Sequence, residues 1–492
     1  MIEETVDRRM VSFPLWFMLL ASVLISALFL PTLATPFDFS EDGCLVYRDI
    51  FHVRYDNFCT AVMRQTISEF QHTGPFRPVV WAHWYASSLI HGHNALAYRM
   101  ERLICCAIAA FCFLLLLREF NINPIASTLV ATLACWSTAR SEIWLYHGMP
   151  EAYGMPYALI TLWCALRASR NGASIYWDVG ATVFFLLCLG VKNTYVALLP
   201  ALLWFRTIGG SISPTEAIAK TGFRYLFYLM PAALPFLHFI LLKLYPLPTH
   251  FQTQMKIGHL VTHSHALYTA IHPKAMMAGV VFSLVVLLFT RHKVSLDYSK
   301  KWFDDPLSKP LGGAILLLSF GLAVYLPWSQ SHYRYSMPAV WGADILLGLL
   351  LTAAAVHLSF FVRTCLYCVV LMGLLKIGSD TYTVQRTLTA RLIPMWQVLK
   401  DLEARQPASF ALVKGNGTDF YEEECFHFRF HFSHRGSDKS RLTIVPRETM
   451  PTTEFVITRS NECPGDRYSI EKQYAPPTYG RKVPGCYLWK RT

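Results

Sequence analysis

Charge is what this chain has least of. Asp, Glu, Lys and Arg make up 15% of its 492 residues, against 53% hydrophobic residues. An ordinary soluble domain carries about 25% charged residues, so that class is excluded. Acids are the scarcer sign: 32 Asp and Glu face 44 Lys and Arg, a formal net charge of +12. The basic excess is scattered between apolar runs and forms no single stripe, which removes nucleic acid as a partner and fits topogenic charge with a preference for anionic headgroups or phosphates. The first apolar run, Phe13 to Leu33, lacks a small-x-small cleavage site, so it reads as a retained anchor and not as a leader. Internal repeats and low-complexity segments are also missing.

Long apolar runs are what the chain has instead. They fall at 13–33, 101–118, 124–139, 152–167, 177–191, 194–206, 224–244, 276–290, 311–327, 339–361 and 363–378. The sequence therefore predicts an α-helical multi-pass membrane protein with about 11 transmembrane helices. The interval at Lys192-Asn193 reads either as a tight turn between two helices or as a break within one. The Lys/Arg bias of the short loops puts the N-terminus in the cytoplasm and everything after about Ile377 outside. Residues 1–378 form the membrane domain, including a long first outer loop, 34–100. Residues 379–492 form a small α+β extracytoplasmic domain, with strands expected at Phe410–Val413, Phe426–Phe432, Leu442–Val445 and Phe455–Thr458. In the first loop, Ile50, Val53, Phe58, Val62 and Ile67 recur at helical spacing, as in a helix lying on the membrane plane.

The stretch Pro36-Phe37-Asp38-Phe39-Ser40-Glu41-Asp42-Gly43 follows directly on the first run. Adjacent acids raise each other's pKa, and general-base work, a divalent cation or plain solvation can each account for the pair Glu41-Asp42. Downstream come Arg77-Pro78, Gly92-His-Asn94 and Tyr98. Pro after Arg opens a helix and the Gly turn closes it. This series resembles the first-loop pattern of GT-C-type glycosyltransferases, above all the tetratricopeptide-linked protein O-mannosyltransferases. The match is partial: the family's next positions, a His and an Asn, are Arg99 and Arg102 here. Further resemblances come in order over 13–378: the acids Glu142 and Glu151 flanking His147, Lys192-Asn193 ahead of Leu199-Pro200, and Tyr333-Arg334-Tyr335 ahead of Pro338. The family's Lys-Glu is Lys-Asn in this chain. The C-terminal domain resembles no known family.

The resemblance implies an enzyme, an inverting hexosyltransferase that moves a sugar from a polyprenyl-phosphate donor to a lipid, protein or polysaccharide acceptor at the outer membrane face. It implies a base drawn from Asp42, then Glu41, then Asp38. Arg334, Lys192 and Tyr335 become candidates for the donor phosphate, a guanidinium offering paired donors. Arg77 becomes a structural tie of the first loop. No metal or other cofactor is expected, although Glu142 or Glu151 beside Asp42 leaves room for a divalent cation. The implied location is a bacterial inner membrane, or an endoplasmic reticulum membrane in a eukaryote. Two other classes stay open: a transporter or lipid flippase, and a non-catalytic scaffold whose outer domain binds a partner.

Thirteen cysteines divide by setting. Those in apolar runs, Cys365 and Cys368 among them, read as packing residues. On an oxidising outer side, Cys44–Cys59 and Cys463–Cys486 are the expected pairs. The histidines of 246–275 match no metal-site spacing, and Asn416-Gly-Thr418 is a glycosylation sequon.

Overall fold

The computed structural model describes residues 13–37, 57–73, 75–92, 94–136, 138–146, 148–170, 174–207, 222–244, 308–324, 337–405, 409–414, 442–446, 451–459, 464, 466–475 and 486–492. Among them the chain is mostly helical. Helices α1 (Leu15–Ala27), α2 (Phe58–Thr73), α3 (Pro78–His91), α4 (Ala95–Glu119), α5 (Pro124–Trp136), α6 (Thr138–Leu145) and α7 (Glu151–Ala168) come first. Then come α8 (Tyr176–Val191), α9 (Leu199–Thr207), α10 (Leu226–Leu244), α11 (Ser308–Ala323), α12 (Met337–His357) and α13 (Phe360–Arg405).

Local chemistry sets many of these limits. Asn57 caps α2 by accepting from Thr60 N at 2.8 Å, and Asn123 accepts from Ile125 N at 2.9 Å just before Pro124 opens α5. Pro78 starts α3, and Gly92 ends it at φ 56°, a left-handed backbone that favours glycine. Asn94 then caps α4.

Among the described residues three helices, α4, α12 and α13, are long and apolar enough to cross a membrane, while α1, α5, α8 and α11 are apolar but shorter. The expected span at 194–206 is instead a 3-10 turn, Asn193–Leu198, followed by the short α9. At nine residues α9 reaches only about 14 Å, less than half a hydrocarbon core. The expected span at 276–290 lies outside the described residues. The interval at Lys192 is a turn: α8 ends at Val191 and Lys192 is extended.

The outer surfaces of these helices carry Leu, Ile, Phe and Val. On α1, Met18, Ala21, Ser22 and Ile25 are buried, whereas Leu15, Leu19, Leu20, Val23 and Leu24 face outward. Apolar rows of this kind suit lipid and not water. Where helices meet, small residues bring backbones together. A Cβ on Gly321 would strike the backbone of Ala339, and one on Gly342 would strike the Ala314 carbonyl, so α11 and α12 touch main chain to main chain.

Helix α13 does not stop at the expected boundary near 378; it is 46 residues long and ends at Arg405. Its far end packs on a five-stranded sheet of β1 (Phe410–Lys414), β2 (Leu442–Pro446), β3 (Phe455–Thr458), β4 (Tyr468–Tyr474) and β5 (Cys486–Arg491), in the order β2-β1-β3-β5-β4. Strands β2 and β3 flank β1 in parallel, and β5 runs antiparallel to both β3 and β4. Period-two alternation assigns the faces. Phe410, Leu412, Phe455, Ile457 and Leu488 join Met395, Leu399 and Leu402 of α13, while Ala411, Val413, Val456 and Trp489 form the opposite core.

Several expectations change. On α2, Val62 is buried but Phe58 and Ile67 are exposed: the helix presents Ala61, Val62, Gln65 and Thr66 to its neighbours, a face one position off the apolar count. Cys59 is a free, exposed thiol on that outward side, which removes the Cys44–Cys59 pair. Cys365 and Cys368 are exposed on α13 and are not packing residues, because the lower part of α13 lies at the bundle's edge. Phe426–Phe432, Cys44, Cys463, the sequon and the histidine-rich 246–275 lie outside the described residues, while Cys486 is buried in β5.

Candidate functional site

Alternate helix ends gather buried polar groups at two levels. At the upper end, α1 and α5 finish and α4, α7 and α12 begin. Here the chain after α1 is gripped from several sides. Trp396 of α13 donates its indole N–H to the Phe37 carbonyl at 2.8 Å, and Arg99 of α4 donates to the Pro36 carbonyl at 3.1 Å. Thr35 bonds Thr389 at 2.6 Å, and the Phe37 ring lies edge-on to Tyr98 at 5.3 Å. Pro36 and Phe37 immediately precede Asp38 in sequence.

Arg99 and Arg102 lie three residues apart, hence on one face of α4, and both are almost fully buried. Arg99 donates to the Leu145 carbonyl at the end of α6, and Arg102 to the Met149 carbonyl at 3.2 Å. These guanidiniums thus staple the segment between α6 and α7. At its end, Glu151 opens α7 and pairs with Lys192, the extended residue between α8 and the 3-10 turn. Glu151 is 2% exposed and the Lys192 side chain 14%, a mostly desolvated pair. Three residues on, Tyr195 fits against Gly154, where a Cβ would collide with its ring, and lies parallel to Trp341 of α12 at 6.4 Å.

A second cluster joins α3 to α4 and α7. Glu101 accepts from Tyr153 Oη at 2.6 Å and Ser87 Oγ at 2.9 Å, and meets His91 Nε2 at 2.9 Å. His83 stacks on Tyr153 at 4.3 Å with Nε2 2.7 Å from Tyr157 Oη, and Arg102 covers the opposing aromatic surface at 4.4 Å. Burial lowers the pKa of His83; the Arg102 charge pushes the same way and Glu101 opposes it. A further buried pair, Arg140 Nη1 with Asp344 Oδ2 at 2.8 Å, ties α6 to α12.

Of the residues singled out from sequence, Lys192 and Glu151 come together, though they are 41 positions apart. Arg77 pairs with Glu69, which also takes the Trp81 indole N–H at 2.8 Å, so Arg77 ties α2 to α3. Glu142 is partly exposed on α6. Asp38, Glu41, Asp42, His147, Arg334 and Tyr335 lie outside the described residues. Sequence reading missed Glu101, His83, Tyr153, Arg140 and Asp344. Glu101 was visible only as the first residue of an apolar run, and Asp344 only as a lone acid inside one. No three His, Cys, Asp or Glu residues gather as a metal site among the described residues.

No protein-family profile matches the chain, and no curated protein does either.

Proposed function

We propose that the chain is a multi-pass membrane glycosyltransferase of GT-C type, working on the periplasmic face of a bacterial inner membrane or, in a eukaryote, on the lumenal face of the endoplasmic reticulum. One observation carries the reading. The grip on Pro36-Phe37, which lead into the acids Asp38, Glu41 and Asp42, belongs to the same contact network as Lys192 and the Trp341 end of α12, six residues past Tyr335. A base and phosphate-holding cations are the two things the transfer needs; the chain that leads into the acids and the cation Lys192 are held at the same end of the bundle.

In this reading, Asp42 takes the acceptor hydroxyl proton as that oxygen attacks the anomeric carbon. The bond from the anomeric carbon to the phosphate oxygen breaks in the same displacement, inverting the configuration. Arg334, with Lys192 and Tyr335, holds the leaving polyprenyl phosphate. Glu151 pairs with Lys192 and aims it, so this reading makes Glu151 a holder of the cation. About eleven spans are part of the proposal, since shorter apolar helices accompany the three long ones.

The test is turnover and donor affinity in proteoliposomes, using polyprenyl-phosphate mannose and polyprenyl-phosphate glucose with membrane-extract acceptors. Asp42→Asn should cut turnover roughly 10²–10⁴-fold with donor affinity kept. Arg334→Ala should weaken donor binding as well. No transfer by the wild type with either donor would end the reading. One observation favours a second class, a transporter: Arg140–Asp344 and Lys192–Glu151 are charge pairs buried among apolar helices. Donor-independent flux of a solute or lipid would identify it.

A further inference from the structure

At the lower end of the bundle, opposite the site above, basic side chains outnumber acids among the described residues. Glu119, at the end of α4, takes both Arg167, at 3.1 Å, and Arg170 from the end of α7. Asp178, fully buried in the first turn of α8, takes Arg206 at 2.8 Å and Arg224 at 3.4 Å, together with the Tyr228 hydroxyl at 2.8 Å. Lys309, in the first turn of α11 and outside its apolar run, donates to Ser169 Oγ at 2.6 Å. Two acids thus pair with four guanidiniums, and Lys309 adds a fifth cation held by a hydroxyl. Burial, and after it the Arg170 charge, lower the pKa of Lys309 to about 8; Arg206 adds to this and Glu119 opposes it. Among the described residues around Lys309, cations outnumber acids. The surroundings suit a bilayer's headgroup level. The Arg167 guanidinium lies over Trp163 and Trp177 at 5.5 and 5.8 Å, and Tyr176 and Phe223 stand outward, 80% and 60% exposed.

We infer that Arg170 and Lys309 form a docking site for the phosphate of an anionic phospholipid headgroup. The ligand bridges the ends of α7 and α11, with Arg167 as a third donor. Arg170 is suited to the contact because it is 55% exposed while its partner Glu119 is nearly buried, leaving guanidinium donors toward the surroundings. A lipid, in contrast to a free phosphate, also covers the outward aromatic and apolar side chains next to the charges.

The test uses the full-length protein in nanodiscs of phosphatidylcholine with or without phosphatidylglycerol. Bound lipid is read by native mass spectrometry and stability by thermal unfolding. Phosphatidylglycerol should be retained preferentially and should raise the unfolding temperature. R170Q and K309Q should each weaken that retention about fivefold, the share of one basic side chain near a charged surface. Both variants should fold, because Arg167 still satisfies Glu119 and the Lys309 backbone still accepts from Trp204 at 3.0 Å. Lys376→Gln, on the exposed side of α13, should leave the preference intact. Equal retention of the two lipids by the wild type, or a preference that survives in the R170Q/K309Q double variant, would overturn the inference. So would inorganic phosphate in phosphatidylcholine discs producing the full stability gain, since the ligand would then be a free anion. None of these readouts depends on glycosyl transfer.

Discussion

At the scale of single residues, Lys192 and Glu151 dominate. Removing one partner of a mostly buried ion pair strands the other charge, whereas replacing both does not. Lys192→Ala should therefore destabilise the protein by about 3–5 kcal/mol, and Glu151→Leu with Lys192→Met should recover most of it. Thermal unfolding of the three variants in one detergent checks this; equal loss in the double variant would show that the pair contributes through other contacts. His83 gives a pH dependence of definite sign. Its folded-state pKa is lowered, so on acidification the unfolded chain takes up the proton first. Stability should then fall as pH drops through about 6.5, the ordinary histidine value, and His83→Gln should flatten that part of the profile. Neither pairing was legible beforehand. Lys192 and Glu151 meet because α8 ends beside the start of α7, a neighbour relation that no local spacing encodes. Arg77 was easier: it precedes a helix-opening proline within reach of an acid eight residues back.

At the scale of elements, α11 with α12 and α13 are the informative cases. Gly321 and Gly342 allow backbone contact, so Gly342→Val has to separate the two helices; a loss of about 1–3 kcal/mol is expected, with Gly348→Ala milder, since its neighbours are side chains. Trp396→Phe keeps an aromatic ring, though a smaller one, and removes the hydrogen bond to Phe37. It should cost about 1 kcal/mol and speed amide exchange in the peptide ending at Phe37, read by hydrogen–deuterium exchange. Strands β1, β2 and β3 could be read in advance because each is a short apolar, β-branched run between turn residues. Strand β4 could not. It lies at the sheet edge, only its two terminal residues are buried, and its Glu471-Lys472-Gln473 looks like a loop. The length of α13 was hidden for a different reason. Its apolar run ends near Ile377, but Thr381, Gln385, Leu388, Leu392 and Met395 carry one buried helical stripe across that limit.

At the scale of the whole molecule, the sheet and the bundle share a core through α13. Arg405 bonds Glu471 at 2.8 Å, and Tyr474 bonds Asp401. The Arg405 hydrogen bond and charge lower the pKa of the exposed Glu471, and burial, with Asp401, raises that of Tyr474. The sidedness expected from loop charge can be read with single cysteines at Tyr176 and Ile470, both exposed. A membrane-impermeant reagent should reach Ile470→Cys from outside and Tyr176→Cys only after permeabilisation; labelling of both from one side would refute the orientation.

Helix α13 is also a lever. From Leu374, within its apolar half, to Arg405 at the sheet is about 46 Å of continuous helix. A tilt of about 5° at the membrane would displace the sheet end by about 4 Å on that geometry, more than the reach of a hydrogen bond. Between pivot and tip sit Thr389 and Trp396, which hold Thr35 and Phe37. Pro394 is the one position on the arm that withholds a backbone N–H, so bending concentrates there, between those two grips. A change in bilayer thickness that tilts α13 therefore reaches the chain before Asp38 as motion, and membranes of graded acyl length are where that transmission would be measured.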